Sequence, residues 1–488
     1  MIGGPIGAYI ARPALSISIT ILIVATFICL YLSRVGARGR LAAFVTALVS
    51  LLSVFFVLLL LPAESIPDRA SQFFIFDGFA KFFSLFAIFV TMAITVSTYY
   101  YSEGLPETPS FYALITGTAI GLILLPAAVD LIGMFVAWEL LSVPLYAIVA
   151  YSHDWSKSSE GAIKYYIMGT ASSAILGLGI GLISALAGTT NMYAMSEALS
   201  GVLGLTGRII LGISVVSLIV GFGVKITMVP LHQWAPDTYE GSMPPITAYL
   251  AGTIKAVRFS APLRLIMLLA PSLSYYARLY FAVLGFLTMT YANIVALKQT
   301  SVYRMMAYSS IAQMGYVVIG LVAATLDGIT ASIFYVFAFA MMEVVVFVVI
   351  AITLRYMGLE TVDDYNGLAS RYPSLAIIFA LSLLSLVGIP PMVGFAGKVY
   401  LFVAAWSGGL AWLAIALAIN SAISIGYYGL IVKRMFLDEP SSKVSEAKAR
   451  PPRSLLAVLW ILTAIIFVLG IYPRTLSLAA RYAASAIV

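Results

Sequence analysis

The chain has 488 residues, of which 62% are hydrophobic and only 10% are charged, and its mean hydropathy is +1.04. Soluble globular domains carry about 25% charged residues, so this composition excludes them and predicts a polytopic membrane protein. The net charge of +7 is largely an asymmetry between loops, and it does not indicate nucleic-acid binding.

The apolar residues fall into about fourteen segments, and a helix needs about 20 apolar residues to cross the hydrocarbon core. The predicted spans are 13–32, 41–61, 76–100, 110–126, 129–151, 161–187, 208–229, 244–270, 275–297, 303–324, 328–356, 373–405, 408–436 and 454–472. The longest polar stretch between them, 437–453, is short enough to be a loop. The sequence therefore predicts an all-α protein, with residues 1–488 forming a single integral membrane domain.

The first apolar segment is predicted to be a retained helix, because it is too long for the core of a signal peptide and most of its flanking arginines follow it. Basic side chains concentrate in every second loop, which the positive-inside rule places in the cytoplasm. These loops are 33–40, 152–160, 298–304, 355–372 and 433–453. With an even number of helices, both termini are predicted to face the outside of the plasma membrane.

The scarcity of ligands excludes most redox centres. Cys29 is the only cysteine, so an iron–sulfur cluster, a zinc thiolate site and an intrachain disulfide are excluded. His153 and His232 are the only histidines, too few for bis-histidine haem ligation unless these two converge. The Gly-Lys pair in GFAGKVY lacks the other residues of a phosphate-binding loop. We therefore predict no cofactor, and any redox chemistry is assigned to a partner.

Ionisable residues inside the apolar segments are the strongest functional signal. Lys225, Lys255, Lys398 and Glu139 each lie within a predicted span. A charge near the bilayer centre costs roughly 2.5–3.5 kcal/mol on insertion scales, so such residues are functional-site hypotheses by default. A carboxylate near a buried lysine stabilises its charged form, which makes a Lys/Glu pair a proton switch. The competing interpretations are a structural ion pair and, for Lys255, a side chain that snorkels to the interface.

Two of the lysines lie beside predicted helix breaks. Pro230 follows Lys225, and Gly388, Pro390 and Pro391 precede Lys398. Proline breaks a helix, and a broken helix at membrane depth is tolerated only inside protein or along a watered cavity.

These breaks fall in the seventh and twelfth segments, as in transporters built from inverted repeats. We therefore predict two inverted five-helix repeats, segments four to eight (110–270) and nine to thirteen (275–436), flanked by 1–109 and 437–488.

Four runs carry a specific resemblance: WELLSVPLYAIVAY, KITMVPLHQWAPDTYEGSMPPITAYLAGTIKA, RMMAYSSIAQMGY and SLVGIPPMVGFAGKVYLF. Together they resemble the antiporter-like subunits of respiratory complex I, and most of all the subunit N type. The similarity extends from about Asp77 to Phe402. PDTYEG, with lysine rather than glutamate at 398, favours the N type over the M type, and the chain lacks the long lateral helix of an L-type subunit.

The resemblance implies a proton-translocating subunit of a redox-driven complex that has no cofactor of its own. Its implied partners are other membrane subunits, including further antiporter-like subunits, and indirectly a redox arm with flavin and iron–sulfur subunits. It also implies roles for individual residues. Glu139 and Lys225 would form a charge pair that Lys164 modulates, His232 would lie beside the break, Lys255 would be the central relay and Lys398 the exit-side group.

Two residues depart from the family pattern. Gln313 stands where the family commonly has histidine, and an amide cannot carry a proton at neutral pH. Glu343 is an intramembrane carboxylate where small or apolar residues are expected, and it is a candidate extra partner for Lys255 or Lys398.

For the other charged residues, the sequence predicts structural roles. Arg258 and Arg264 are predicted to snorkel, and Asp77 and Lys81 are predicted to form an interfacial i, i+4 pair. Asp237 and Glu240 are predicted to brace their loop.

Three functional classes remain open from sequence. The first is the redox-driven proton pump, with a relay in the order Glu139, Lys225, Lys255, Lys398. The second is a subunit of a multisubunit Na⁺/H⁺ antiporter, and the third is a passive scaffold. Related modules also occur in membrane-bound hydrogenases and in F420H2 dehydrogenases, so the electron donor and acceptor are not predicted.

Overall fold

The computed structural model describes residues 13–64, 72–102, 108–151, 155–199, 204–269, 275–447 and 450–487. Within these ranges the protein is helical, without strands and with three isolated backbone bridges between loops. Twelve helices are long and apolar enough to cross a membrane, and two shorter apolar helices, Pro373–Val387 and Val393–Ser407, accompany them. His153 lies outside the described residues.

Each of the fourteen predicted segments is helical, and three are interrupted. The uninterrupted helices are α1 (Pro13–Ser33), α2 (Arg40–Leu60), α3 (Gly78–Tyr101), α4 (Thr108–Ala127), α5 (Leu131–Ala150), α6 (Trp155–Ala187), α9 (Tyr275–Ala296), α10 (Val302–Ala323), α11 (Leu326–Met357), α13 (Ala411–Leu437) and α14 (Arg453–Ile471). The interrupted ones are α7a (Leu205–Lys225) with α7b (Trp234–Gly241), α8a (Pro244–Ala248) with α8b (Lys255–Leu269), and α12a (Pro373–Val387) with α12b (Val393–Ser407).

Shorter elements lie in the connections and at the end of the chain. They are two 3₁₀ turns, Gly36–Gly39 and Val362–Tyr365, the short helices Met192–Leu199, Leu368–Arg371 and Ser442–Glu446, and a final helix, α15 (Arg474–Ser485). Helix α15 packs on α3 and α11, and its Arg481 lies 3.5 Å from Asp327.

Helix α11 forms the centre of the molecule. Its side chains are buried along almost the whole helix, and it contacts α3, α8a, α8b, α10, α12a, α12b, α14 and α15. It has 32 residues, and the other unusually long helix, α6, has 33. The predicted division into repeats would make these two helices counterparts, each third in its repeat, and their lengths agree with that pairing.

Both proline-rich breaks occur where the sequence predicts them. Helix α7a ends at Lys225, and Trp234 of α7b donates its indole N–H to the carbonyl of Val224 at 2.8 Å. Helix α12a ends before Gly388, whose φ of 92° favours glycine, and Lys398 of α12b donates to α12a's last carbonyls. In both breaks, a side chain of the second half-helix therefore donates to carbonyl groups at the C-terminal end of the first.

A third interruption was not predicted. Between α8a and α8b, residues Tyr249–Ile254 form a π-helix that ends directly before Lys255. A Cβ atom on Gly252 would lie 2.6 Å from the Val344 side chain of α11, so glycine allows this π turn to pack closely against the central helix. Short π segments within helices are rare, and they often mark functional sites.

Polar contacts join three of the basic loops at one end of the helices. Lys443 donates to Asp364 at 2.9 Å, Arg434 lies 3.1 Å from Asp363, and Ser301 bridges to Thr361. Burial opposes the charge of Asp364, but hydrogen bonds from two backbone N–H groups and from Lys443 outweigh burial and lower the pKa of this carboxyl. The loops 298–304, 355–372 and 433–453 therefore share one side of the protein.

The prediction that Arg258 and Arg264 snorkel is wrong, because each is only 1% exposed. Arg264 donates two hydrogen bonds to the Asp77 carboxylate, at 2.8 and 2.9 Å, and Asp77 also caps α3 through the N–H of Ala80. The predicted Asp77–Lys81 pair is wrong as well, since Lys81 donates to carbonyl groups at the end of α2. A buried bidentate ion pair therefore fixes α8b against α3.

We expect Asp77→Asn to destabilise the protein strongly, because it leaves the Arg264 charge buried without its counter-charge. Removing one member of a buried ion pair typically costs about 3–5 kcal/mol. The measurement is the thermal unfolding midpoint of the purified complex. Lys81→Met, one turn further along α3, is the control and should change the midpoint much less. An Asp77→Leu/Arg264→Met double variant that is no more stable than Asp77→Asn would contradict this interpretation.

Candidate functional site

Lys225 lies in a cluster of hydroxyl groups at the C-terminal end of α7a. It is 1% exposed, and its ammonium donates to Ser142 Oγ at 3.2 Å and to the Tyr146 hydroxyl at 2.7 Å. Both partners belong to α5, where Glu139, Ser142 and Tyr146 share one helical face. The cation at the end of α7a also lies where the helix dipole favours positive charge.

Glu139 belongs to the same cluster but makes no direct ion pair with Lys225. Its carboxylate accepts a hydrogen bond of 2.5 Å from Ser173 of α6, and its side chain is only partly buried. Its charge acts on Lys225 from the neighbouring turn of α5. Among the described residues Glu139 and Lys225 form no salt bridge, and their hydrogen bonds go to different hydroxyl groups.

Lys255 and Glu343 form a second buried group. Lys255 donates to Ser310 Oγ at 2.8 Å and lies 5.4 Å above the Tyr239 ring. Glu343, fully buried on α11, lies beside Ser310, and its charge interacts with that of Lys255. The sequence predicts either Lys255 or Lys398 as the partner of Glu343, and this arrangement favours Lys255.

Lys398 forms the third group, and its bonds are to uncharged oxygen atoms. Its ammonium donates to the carbonyls of Leu386 and Val387 at 2.8 and 2.9 Å and to Ser421 Oγ at 2.9 Å. The Tyr316 ring lies 4.7 Å away. Among the described residues no carboxylate lies within ion-pair distance of Lys398, so the carbonyl end of α12a supplies the compensating negative potential.

A hydrogen-bonded network occupies the space around α10 between the second and third groups. Gln313 donates to Tyr428 at 3.2 Å and accepts from Tyr335, and Tyr428 is also bonded to Ser309. These side chains are buried. The Gln313 amide therefore joins two tyrosine hydroxyls.

A second part of this network leads to Tyr316, whose ring faces Lys398. Asn293 of α9 donates to the Tyr316 hydroxyl at 3.0 Å and accepts from Tyr427 of α13 at 2.9 Å. Asn420 of α13 extends the network, since its carbonyl oxygen accepts from Asn293 at 3.3 Å. Polar side chains of three helices thus meet next to the third lysine.

Two predicted site residues lie outside these groups. The Lys164 side chain is 41% exposed and pairs with Glu160 and Asp237, at 2.6 Å each. His232 lies in the α7a–α7b break as predicted, with its ring against Tyr291 and its Nδ1 without a partner.

Asp237 and Glu240 brace α7b as predicted. Arg304 of α10 donates to Asp237 at 2.8 Å and to Glu240 at 3.0 Å. This ion-pair network ties α7b to α6 and α10.

A cavity of about 240 Å³ with both polar and apolar lining lies at the end of the molecule that carries the basic loops. Its lining includes Lys157, Glu240, Ser242, Tyr303 and Glu360. Tyr239, next to Glu240 in sequence, presents its ring to Lys255. The residue that contacts the second buried lysine is therefore the immediate sequence neighbour of a residue that lines the cavity.

Sequence reasoning missed the uncharged partners of the lysines and the burial of Arg258. Ser142, Ser310 and Ser421 accept from the three ammonium groups, but a serine in an apolar helix is common and carries little signal. Arg258 follows Lys255 by three residues, and this helical spacing is the one clue that both side chains share a face.

The fold and the buried groups define a class of protein: a polytopic helical membrane protein with two broken helices and a row of intramembrane lysines. Residues 128–424 match the family described as NADH:quinone oxidoreductase/Mrp antiporter, TM. The chain belongs to this family of transmembrane subunits, as the resemblance of its motifs predicted.

Two relatives show how much of the chain the similarity covers. NADH-quinone oxidoreductase subunit N of Desulfitobacterium hafniense is 37% identical over 433 residues, or 84% of this chain and 86% of the relative. F(420)H(2) dehydrogenase subunit N of Methanosarcina mazei is 33% identical over 407 residues, or 82% of each. The predicted similarity to the N type is therefore confirmed.

Solved structures agree with this assignment. A chain of Thermus thermophilus respiratory complex I with bound aureothin superposes with a TM-score of 0.77 at 26% identity, covering 94% of this chain and 98% of that one. A chain of the Mrp complex from Dietzia sp. superposes with a TM-score of 0.83 at 20% identity, covering 98% of each. The second likeness shows that the fold is shared, and nothing more.

We expect Glu343→Gln to leave the thermal stability of the assembled complex unchanged or slightly raised. Glutamine keeps an oxygen that can accept a hydrogen bond from Ser310, and the substitution removes a buried charge. Lys255 can respond by losing its proton, which Arg264 cannot do when Asp77 loses its charge. The measurement is the unfolding midpoint at neutral pH. The control is Asp130→Asn, because Asp130 accepts from the N–H groups of Ile132 and Gly133 and should be sensitive. A large loss of stability in Glu343→Gln would show that the carboxylate is a structural group.

Proposed function

We propose that the chain is a proton-translocating membrane subunit of a redox-driven complex and that its buried lysines carry the protons. The observation that carries the proposal is that the three lysines are buried without a carboxylate in contact. Lys225, Lys255 and Lys398 are each 4% exposed or less, and none of them forms an ion pair among the described residues. A buried lysine whose only role was to hold helices together would be expected to contact a carboxylate.

The hydrogen-bond partners of the lysines support proton transfer. Ser142, Tyr146, Ser310 and Ser421 are hydroxyls, which can accept a hydrogen bond while donating another. They stabilise an ammonium group without holding it as firmly as a carboxylate would. Each lysine can therefore exist in a charged and a neutral form, and the equilibrium depends on neighbouring charges.

The order of the relay follows from the three groups. Glu139 acts on Lys225 in the first, Glu343 acts on Lys255 in the second, and Lys398 lies at the carbonyl end of α12a in the third. The tyrosine and amide network around Gln313 occupies the space between the second and third groups. We infer a lateral path from Glu139 through Lys225 and Lys255 to Lys398, with Glu343 as the counter-charge of Lys255. Lys164 and His232 lie at the edge of this path. Lys164 influences it through its ion pair with Asp237, and His232 through its place in the α7a–α7b break.

The partners and the location follow from the family. The relatives are named as subunits of quinone- or F420-linked oxidoreductases, so the electron-transfer centres belong to other chains. We propose that this chain contributes no redox site. We place it in the plasma membrane beside further antiporter-like subunits, with the basic loops in the cytoplasm and both termini outside.

The competing function is Na⁺/H⁺ exchange, because the fold is shared with a chain of an Mrp complex. In the described part of the chain no group of three or more His, Cys, Asp or Glu side chains could hold a metal ion. Vesicles containing the complex decide between the functions: Na⁺-dependent H⁺ movement without an electron donor supports exchange, and donor-dependent acidification supports the pump.

We expect Lys225→Met to abolish most proton pumping per electron transferred while the complex still assembles. Methionine keeps the approximate length of the side chain but cannot bind a proton. The measurement is donor-driven acidification of inverted vesicles or proteoliposomes, divided by the electron-transfer rate of the same sample. Lys298→Met, the same substitution at an exposed lysine, is the matched control. Normal pumping by assembled Lys225→Met would rule out the relay.

The orientation predicts how two single-cysteine variants react with a membrane-impermeant maleimide. In a Cys29→Ala background, Glu439→Cys and Ser407→Cys place exposed thiols at opposite ends of α13. We expect intact cells to label only Ser407→Cys and inverted vesicles to label only Glu439→Cys. The reverse pattern would place the basic loops outside the cell.

A further inference from the structure

Arg258 is a buried cation that no carboxylate in the described part of the chain contacts. It lies on α8b, three residues after Lys255, and is 1% exposed. Its Nη2 donates to the Tyr165 hydroxyl at 3.0 Å and to Ser142 Oγ at 3.1 Å, and its Nε has no partner. Arg264, on the same helix, shows how a structural arginine is accommodated here: it binds Asp77 through two hydrogen bonds. Arg258 has no such compensation.

Ser142 joins Arg258 to the first relay group. Its hydroxyl accepts from Lys225 at 3.2 Å and from Arg258 at 3.1 Å, and it donates to the carbonyl of Trp138 at 2.8 Å. A serine hydroxyl has one proton to donate and two lone pairs, so all of its capacity is used. Lys225 and Arg258 are therefore separated by no more than the two hydrogen bonds that meet at one oxygen atom.

Two positive charges at this separation repel each other strongly. At about 6 Å and an effective dielectric constant of about 20, repulsion changes a proton-binding equilibrium by roughly a hundredfold. A guanidinium group does not lose its proton in proteins, so relief can come only from Lys225. The other charged or titratable groups around the cluster are Glu139 and Tyr146 of α5, Tyr165 of α6 and, one turn before Arg258 on α8b, Lys255.

We propose that Arg258 is a fixed charge that drives the proton off Lys225 and that Glu139 is the counter-charge that lets the proton bind. Arg258 cannot pass a proton on, so it acts through Lys225 and is a positioning residue. In the release step the Tyr146 hydroxyl, at 2.7 Å, takes the proton of Lys225 Nζ and passes its own hydroxyl proton to a water molecule, which leaves as hydronium. The lysine becomes a neutral amine, and the tyrosine ends unchanged.

The arrangement also gives Glu139 a definite task. Its carboxylate is held by Ser173 of α6, so a movement of α6 relative to α5 changes its distance from Lys225. Arg258 is carried by α8b, which the Arg264–Asp77 pair fixes against α3. One charge of the cluster is thus anchored, and the opposing charge is bonded to a different helix. Lys225 responds to the balance between them.

The test is the pH profile of proton pumping by the whole complex in proteoliposomes, relative to electron transfer. Arg258→Gln keeps an N–H donor for Ser142 and Tyr165 but removes the charge. We expect the alkaline limit of pumping to move up by at least about one pH unit, because Lys225 then keeps its proton to higher pH. Arg258→Lys keeps the charge and should retain the wild-type profile. Arg278→Gln, at an exposed arginine, is the matched control.

Two outcomes overturn the inference: an unchanged profile in assembled Arg258→Gln, or a profile in Arg258→Lys that matches that of Arg258→Gln. If Arg258→Gln fails to assemble, the double variant Glu139→Gln/Arg258→Gln decides, because it conserves the net charge of the cluster. We expect its alkaline limit to lie above that of Glu139→Gln alone, and coincidence of the two would contradict the proposal. The inference rests on Lys225 being a proton carrier, which normal pumping by Lys225→Met would disprove separately.

Discussion

The energetic cost of placing positive charge in a membrane is the constraint on which the rest of this structure depends. Lys225, Lys255, Lys398, Arg258 and Arg264 are all buried, and each would cost several kcal/mol on insertion without compensation. Of these five, Arg264 alone has a carboxylate of the described residues in direct contact. The lysines rely on hydroxyls, backbone carbonyls and aromatic rings, which lower this cost but leave the ammonium groups able to lose a proton.

The helix breaks relate to the same constraint, because the break after α12a exposes backbone oxygen atoms that accept hydrogen bonds from Lys398. Lys398 occupies the carbonyl end of α12a, and Lys225 lies at the end of α7a, whose Val224 carbonyl accepts from Trp234. In an unbroken helix these carbonyl groups would be bonded internally. The prolines thus place two lysines at helix C-termini at membrane depth, where the backbone attracts cations.

The helical segments, the breaks and the buried lysines could be predicted from the sequence. The partners of the lysines and the π turn could not, for physical reasons. Apolar length fixes the segments, proline fixes the breaks at Pro230 and Pro390, and the cost of buried charge marks the lysines. The partners could not be predicted, because Ser310 and Ser421 lie more than a dozen positions from the lysines they contact. The π turn escaped prediction because its residues resemble any apolar helix.

Arg258 and Arg264 show why a local pattern assigns such residues poorly. Both follow Lys255 in one helix, and snorkelling would explain either of them from sequence alone. The two arginines differ in their hydrogen-bond partners, which lie far away in the sequence. Arg264 donates to the Asp77 carboxylate, whereas Arg258 donates to the hydroxyls of Ser142 and Tyr165.

Helix α8b therefore has an anchored end and, at Lys255, an end that directly follows a π turn. If that turn adopted ordinary α-helical bonding, Lys255 would rotate by about 100° per residue gained or lost, while the Arg264–Asp77 pair held the far end in place. A change confined to Tyr249–Ile254 would then separate Lys255 from Ser310 and Glu343. Lys255 thus lies between an irregular turn and an anchored stretch of the same helix.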